Sequence, residues 1–193
     1  MRPVFVTVLL ALSAAFAQGM GGMQMGTQSM AELNKLKGKD FDIAYMSMMI
    51  EHHRGAVEMA QQALRVSKDA RIRRAAQEII DVQNQEIAQL TAWLKAWYGV
   101  APSQRYMNLM RSDMRGMMDS AMGGMQAHAG MVMPVDRAFL EGMIPHHQNA
   151  IDMSELALKK ATKPELRKFA QRVIDIQSEE IRQYREWLKT LQP

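Results

Sequence analysis

Met49-Ile50-Glu51-His52-His53 returns later in the chain as Met143-Ile144-Pro145-His146-His147, and these two stretches hold four of the five histidines. Displacing the sequence by 94 positions lays residues 42–95 on residues 136–189 without a gap, with more than a third of the pairs identical. The chain is a duplicated unit with one histidine pair in each copy.

Around each pair, apolar residues recur at helical spacing. One stripe is Met46, Ile50, His53, Val57, Ala60, Leu64; beside it runs Tyr45, Met49, His52, Ala56, Met59, Ala63. The second copy repeats both, with His147 and His146 in the histidine positions. This predicts a helix from Asp40, as N-cap, to about Val66. A second helix is predicted from about Asp69 to Trp97, stopped by Gly99 and Pro102. Its counterpart opens at Thr162-Lys163-Pro164-Glu165, a capping-box spacing with proline in the first turn, and reaches Leu191. Two helical hairpins, residues 40–98 and 135–193, bury their faces most simply as one four-helix bundle. The apolar stripe of each second helix is interrupted by Gln83 and Glu86, and by Gln177 and Glu180. A buried carboxylate needs a partner, and a histidine, a metal ion or both would supply one.

A composition of 48% hydrophobic and 23% charged residues in 193 is that of one ordinary globular domain with tails. The net charge of +4 is spread over mixed-sign helix faces, without a basic patch interleaved with aromatics, so nucleic acid is not an expected partner. Residues 1–17 read as a signal peptide cut after Ala17, the apolar run being shorter than the roughly 20 residues of a membrane helix. A periplasmic or secreted protein with no membrane span is expected.

Cysteine is absent, so a metal must be held by His, Met, Asp, Glu or backbone oxygen. Two consecutive histidines with flanking methionine, kept through a duplication, point to metal binding; His52, His53, His146 and His147 are the expected ligands, with Met49, Met59, Met143 and Met153 as soft ones. Imidazole with thioether favours a copper ion over zinc, iron or harder cations. Ligand histidines must be neutral, so binding is expected to weaken as pH falls through about 6.5. Glu86, Glu180, Gln83 and Gln177 are candidates to orient a histidine from behind. Asp42 and Asp136 lie on the same helix side and are candidates for the same surroundings, or for a cap or dipole role. Pro145, inside a predicted helix where the first copy has Glu51, should bend that helix or free the carbonyl of Glu141, making the halves unequal.

Residues 18–39 begin with Gly19-Met20-Gly21-Gly22-Met23-Gln24-Met25-Gly26, a flexible arm in which methionine is either a soft Cu(I) ligand or part of a low-complexity leader. The linker, 99–134, is also methionine-rich. Met107, Met110, Met114, Met117 and Met118 follow one helix face and read as packing more than ligation, before Gly123-Gly124 and Gly130 loosen the chain. His128, among Met125, Met131 and Met133, is a candidate loop site.

Met-Ile-Pro-His-His-Gln in the second copy, with Asp136 and Phe139 before it and Ala150, Ile151 and Met153 after it, resembles the signature of the domain-of-unknown-function 305 family. The first copy departs from it at Glu51 and Arg54. The resemblance spans about residues 40–193 and implies a secreted or periplasmic protein with a ferritin-like helical bundle, related to proteins implicated in copper binding and resistance. The combined expectation is an extracytoplasmic protein that sequesters or carries Cu(I) and Cu(II) without turnover, served by a copper-delivery partner. The alternatives are a ferritin-like di-metal oxidase, whose usual Glu-x-x-His spacing is missing, and an envelope protein with structural histidines.

Overall fold

The computed structural model describes residues 28–126 and 135–191, with side chains described to residue 116 and from residue 135. Among the described residues the protein is all-α, a ferritin-like bundle of four long helices with two further helices. In order these are α1 (Gln28–Lys35), α2 (Gly38–Val66), α3 (Ala70–Tyr98), α4 (Gln104–Gln126), α5 (Val135–Lys160) and α6 (Pro164–Thr190). No strand occurs among the described residues, and none of their helices is long and apolar enough to cross a membrane. The expected signal peptide, the Met-Gly arm at 19–26 and the His128 loop fall outside the described residues.

Local chemistry sets the helix ends. Asp69 caps α3 by accepting the Arg71 N–H at 2.8 Å, and Gly99, at φ +68°, closes it in the left-handed conformation that glycine adopts without strain. Two expected caps differ. The N-cap of α2 is Lys37, and Asp40 lies in the first turn, where its negative charge is stabilised by the positive end of the helix dipole. The N-cap of α6 is Lys163 with no side-chain cap; the Thr162 hydroxyl is drawn instead to Asp42 of α2.

Residues 28–35, expected within a flexible arm, form α1, because Leu33 reaches the core and is fully buried there. The linker is helical as far as Gln126, past Gly123-Gly124, so the two glycines do not end the helix. Met107, Met110 and Met114 form its buried face, as their spacing predicted.

α2 and α5 cross antiparallel: Tyr45 meets Ser154 at 2.9 Å in a buried hydroxyl pair, while the Met59 methyl packs on Gly142 at the opposite end. The apolar core divides about the midpoint. One cluster joins the first half of α2, the end of α3, the end of α5 and the start of α6, around Phe41, Tyr45, Leu90 and Phe169. The other joins the remaining halves, around Ile72, Ile79, Phe139 and Tyr184. Fully burying a side chain of this size contributes about 1.5–3 kcal/mol. Between the clusters lies a polar layer, which contains all four paired histidines.

α4 lies against α2, and its seat explains where the copies diverge. Ser103 N–H donates to Ser47 Oγ at 2.9 Å, Arg111 Nε donates to Glu51 Oε1 at 2.6 Å, and the Met114 side chain rests on Gly55. Positions 47, 51 and 55 are one helix face. Their equivalents, Glu141, Pro145 and Asn149, cannot make these contacts. α5 runs as one helix through Pro145.

Candidate metal centre

Antiparallel crossing of duplicated helices brings each residue near the midpoint to its own equivalent. The rings of His52 and His146 lie 3.8 Å apart between centroids, tilted by 43°, and His52 Nε2 donates to the His146 carbonyl oxygen at 3.0 Å. His53 and His147, turned about 100° round their helices, point into their own hairpins. His53 Nε2 lies 2.8 Å from Glu86 Oε2, and His147 Nε2 lies 2.9 Å from Glu180 Oε2. Both are close polar contacts whose angles fall short of aligned hydrogen bonds. The carboxylates interrupting the stripes of α3 and α6 thus meet the histidines of the partner helix in the same hairpin.

Burial keeps the central pair neutral. His52 is held well below the ordinary histidine range, first by desolvation and then by the neighbouring His146, His53 and His147. His146 is lowered to about 3 by burial, with His147 and His53 adding to the effect. The expected loss of ligand capacity through about pH 6.5 therefore moves downward for these two rings, because a charged imidazole has no water to stabilise it.

A neutral imidazole has one N–H and one lone pair. His52 carries its proton on Nε2, facing a carbonyl, and Nδ1 keeps the lone pair. A proton on Nε2 also suits His53 and His147, each facing a carboxylate. The Nδ1 atoms of all three are buried without a partner, and His146 has none at either nitrogen. Buried polar atoms without partners are costly and rare. The donors fit a cation that accepts neutral nitrogen.

The remaining expected site residues divide. Gln83 and Gln177 are buried beside Glu86 and Glu180 in a cleft between α3 and α6, each with an unpartnered Oε1. Met49 and Met153 pack in the first apolar cluster and Met143 in the second, while Met59 lies against Gly142. Asp42 is engaged away from the histidines. Its carboxylate accepts from Tyr98 Oη at 2.5 Å and from the Thr162 N–H at 3.0 Å, tying the ends of α2, α3 and α5 together. Asp136 sits where its charge reaches Arg71 at the start of α3, with one oxygen unpartnered. Among the described residues, no three of His, Asp and Glu converge to hold one ion.

Sequence reasoning missed the convergence at Gly55. A Cβ there would lie 3.1 Å from Met114 Sδ and 3.4 Å from His146 Nε2. The available signal was Gly55 standing where the other copy has Asn149.

The family model for a domain of unknown function, DUF305, matches residues 12–94 and 63–188. The chain belongs to the DUF305 family. Each match contains one histidine pair, as duplication requires. Several solved structures share the fold. CopM in its Cu(I)-bound form is 26% identical with a TM-score of 0.61, the match covering 77% of this chain and 96% of CopM. CopM has also been solved with Cu(II) and with Ag. A DUF305 fragment from Deinococcus radiodurans is 27% identical with a TM-score of 0.60, over 78% of this chain and 96% of the fragment. A DUF305 protein from Streptomyces coelicolor shares the fold at 21% identity and a TM-score of 0.60, over 77% of this chain and 92% of that one. No curated protein matches the chain.

Proposed function

We propose that this DUF305 protein binds copper outside the cytoplasm, sequestering or carrying Cu(I) and Cu(II) without catalytic turnover. His52, His53, His146 and His147 are its principal ligands. Glu86 and Glu180 orient His53 and His147, with Gln83 and Gln177 beside them, and Met49, Met59, Met143 and Met153 on adjoining turns supply a soft, polarisable surround. The signal-like start of the chain supports export, and a copper-delivery partner would complete the route.

One observation carries this reading: neutral imidazoles with unpartnered nitrogens are buried together where the two copies meet. A purely structural histidine would have its nitrogens satisfied. The Cu(I), Cu(II) and Ag forms of CopM support copper as the metal. A di-metal oxidase is less well supported, since its site needs a carboxylate-rich cluster, and the acids here face single histidines.

Equilibrium dialysis with Cu(I), Cu(II), Zn²⁺ and Fe²⁺ tests the proposal, using the natural chain and a variant with all four paired histidines changed to glutamine. Copper retention by the natural chain and its loss in a variant that keeps its helical circular dichroism is the expected result. Retention that ignores the substitutions would refute the site, and oxygen consumption with ferrous iron would favour the oxidase.

A further inference from the structure

We propose that Met114 of α4 and His146 of α5 form a seat for one soft monovalent cation over the side-chain-free face of Gly55. This rests on the copper reading above and adds a sulfur ligand from a helix outside the four-helix bundle.

Two donors from different helices converge on a third. The position a Cβ would take on Gly55 is 3.1 Å from Met114 Sδ, 3.3 Å from its methyl carbon and 3.4 Å from His146 Nε2. Glycine inside a helix costs about 1 kcal/mol relative to alanine, and α2 carries it eleven residues before its end. Its use here is room: any side chain would push the thioether or the imidazole away. His146 is 7% exposed, and both of its ring nitrogens are without partners. Met114 is 9% exposed, placed over the gap by the Arg111–Glu51 contact of the same helix and the Ser103–Ser47 contact just before its start.

The donor set selects the ion. A thioether and a neutral imidazole are soft, uncharged ligands, suited to Cu(I) or Ag(I) and unable to offset the charge of a divalent ion in a buried place. Of the acids one turn from Gly55 on α2, Glu51 meets Arg111 and Arg54, and Glu58 is exposed to solvent with its charge reaching Arg111. The mirror-related seat cannot form, because Asn149 replaces Gly55 and His52 Nε2 is committed to the His146 carbonyl. One such ion per chain follows.

The test uses the full mature chain loaded with one equivalent of Cu(I), read by copper X-ray absorption for a sulfur neighbour and by competition with a Cu(I) chelator. Met114→Leu should remove the sulfur contribution and weaken Cu(I) retention roughly tenfold or more, the scale on which loss of a metal-site partner acts, with Cu(II) retention unchanged. Gly55→Ala should act in the same direction by displacing the thioether, and Met107→Leu, on the same buried face, should do neither. Unchanged sulfur signal and affinity in a folded Met114→Leu would overturn the seat. If His146→Gln then abolished binding, the paired-histidine reading would survive without it. Failure of the natural chain to hold Cu(I) at all would overturn both.

Discussion

His53 of α2 and Glu86 of α3 meet at 2.8 Å, and their duplicates His147 and Glu180 meet at 2.9 Å, so each hairpin places a carboxylate beside its own imidazole. Orientation by a carboxylate fixes the tautomer and raises ligand basicity. Glu86→Gln and Glu180→Gln should each weaken copper retention by roughly 10- to 100-fold, the range for such partners. Chelator competition measures the loss; equal affinity in folded variants would remove the orienting role.

The central rings make stability depend on pH in a definite direction. His52 and His146 titrate lower in the folded protein than in the unfolded chain, where the value is about 6.5. Unfolded chains therefore take up protons first as the solution is acidified. The stability from keeping these rings neutral is complete above about pH 6.5 and is lost progressively below it, down to about 3 for His146. Each ring contributes a slope approaching about 1.4 kcal/mol per pH unit inside that window. Urea unfolding of the metal-free protein between about pH 6.5 and 5, above most carboxylate titration, should show this fall, and His146→Gln should reduce it.

Asp42 serves the fold. Its buried carboxylate accepts from Tyr98, from the Thr162 N–H and from the Thr162 hydroxyl. Tyr98 is only partly buried and Thr162 is exposed, so water recovers part of what their donors lose, and Asp42→Ala should cost about 1–2 kcal/mol. Tyr98 is pushed up to about 12 by burial and then by this carboxylate. Spectrophotometric titration of Asp42→Ala should find its phenol ionising part of the way back toward the ordinary value of about 10. Copper affinity should stay that of the natural chain.

The contact between Arg111 and Glu51 should respond unequally to removal of its two partners. Glu51 is 5% exposed, whereas Arg111 reaches well into solvent. Arg111→Ala leaves the buried carboxylate only its longer contact with Arg54, at 3.5 Å, while Glu51→Ala leaves a solvated guanidinium. Arg111→Ala should therefore lower the melting temperature more, and hydrogen exchange should locate the loosening in α4. Unchanged melting temperatures in both variants would mean that this pair does not hold the helix.

Much of this architecture is legible in the residues. The duplication, the stripes through His52 and His146, and the Gln83/Glu86 interruption define the hairpins and the layer where chemistry sits, because helical periodicity is a local property. The pairing of His53 with Glu86 follows almost as directly, since a carboxylate on a buried stripe requires a partner. What the residues do not disclose is docking. Met107, Met110 and Met114 read as a packing face, but which bundle face they meet is decided by Ser47, Glu51 and Gly55 acting together. α1 likewise forms within a stretch too polar and short to promise a helix, because Leu33 finds the core. Thr162 looks like a cap until Asp42, 120 residues away in sequence, takes its hydroxyl.

The most direct test of the central claim, that copper is held by imidazoles between the two copies, is nitrogen NMR of the four paired histidines during addition of one equivalent of Cu(I). Ring-nitrogen resonances of His52, His53, His146 and His147 should move at the first equivalent, while the protein remains helical. Copper bound with those resonances unmoved would place the metal elsewhere on the chain and contradict the claim.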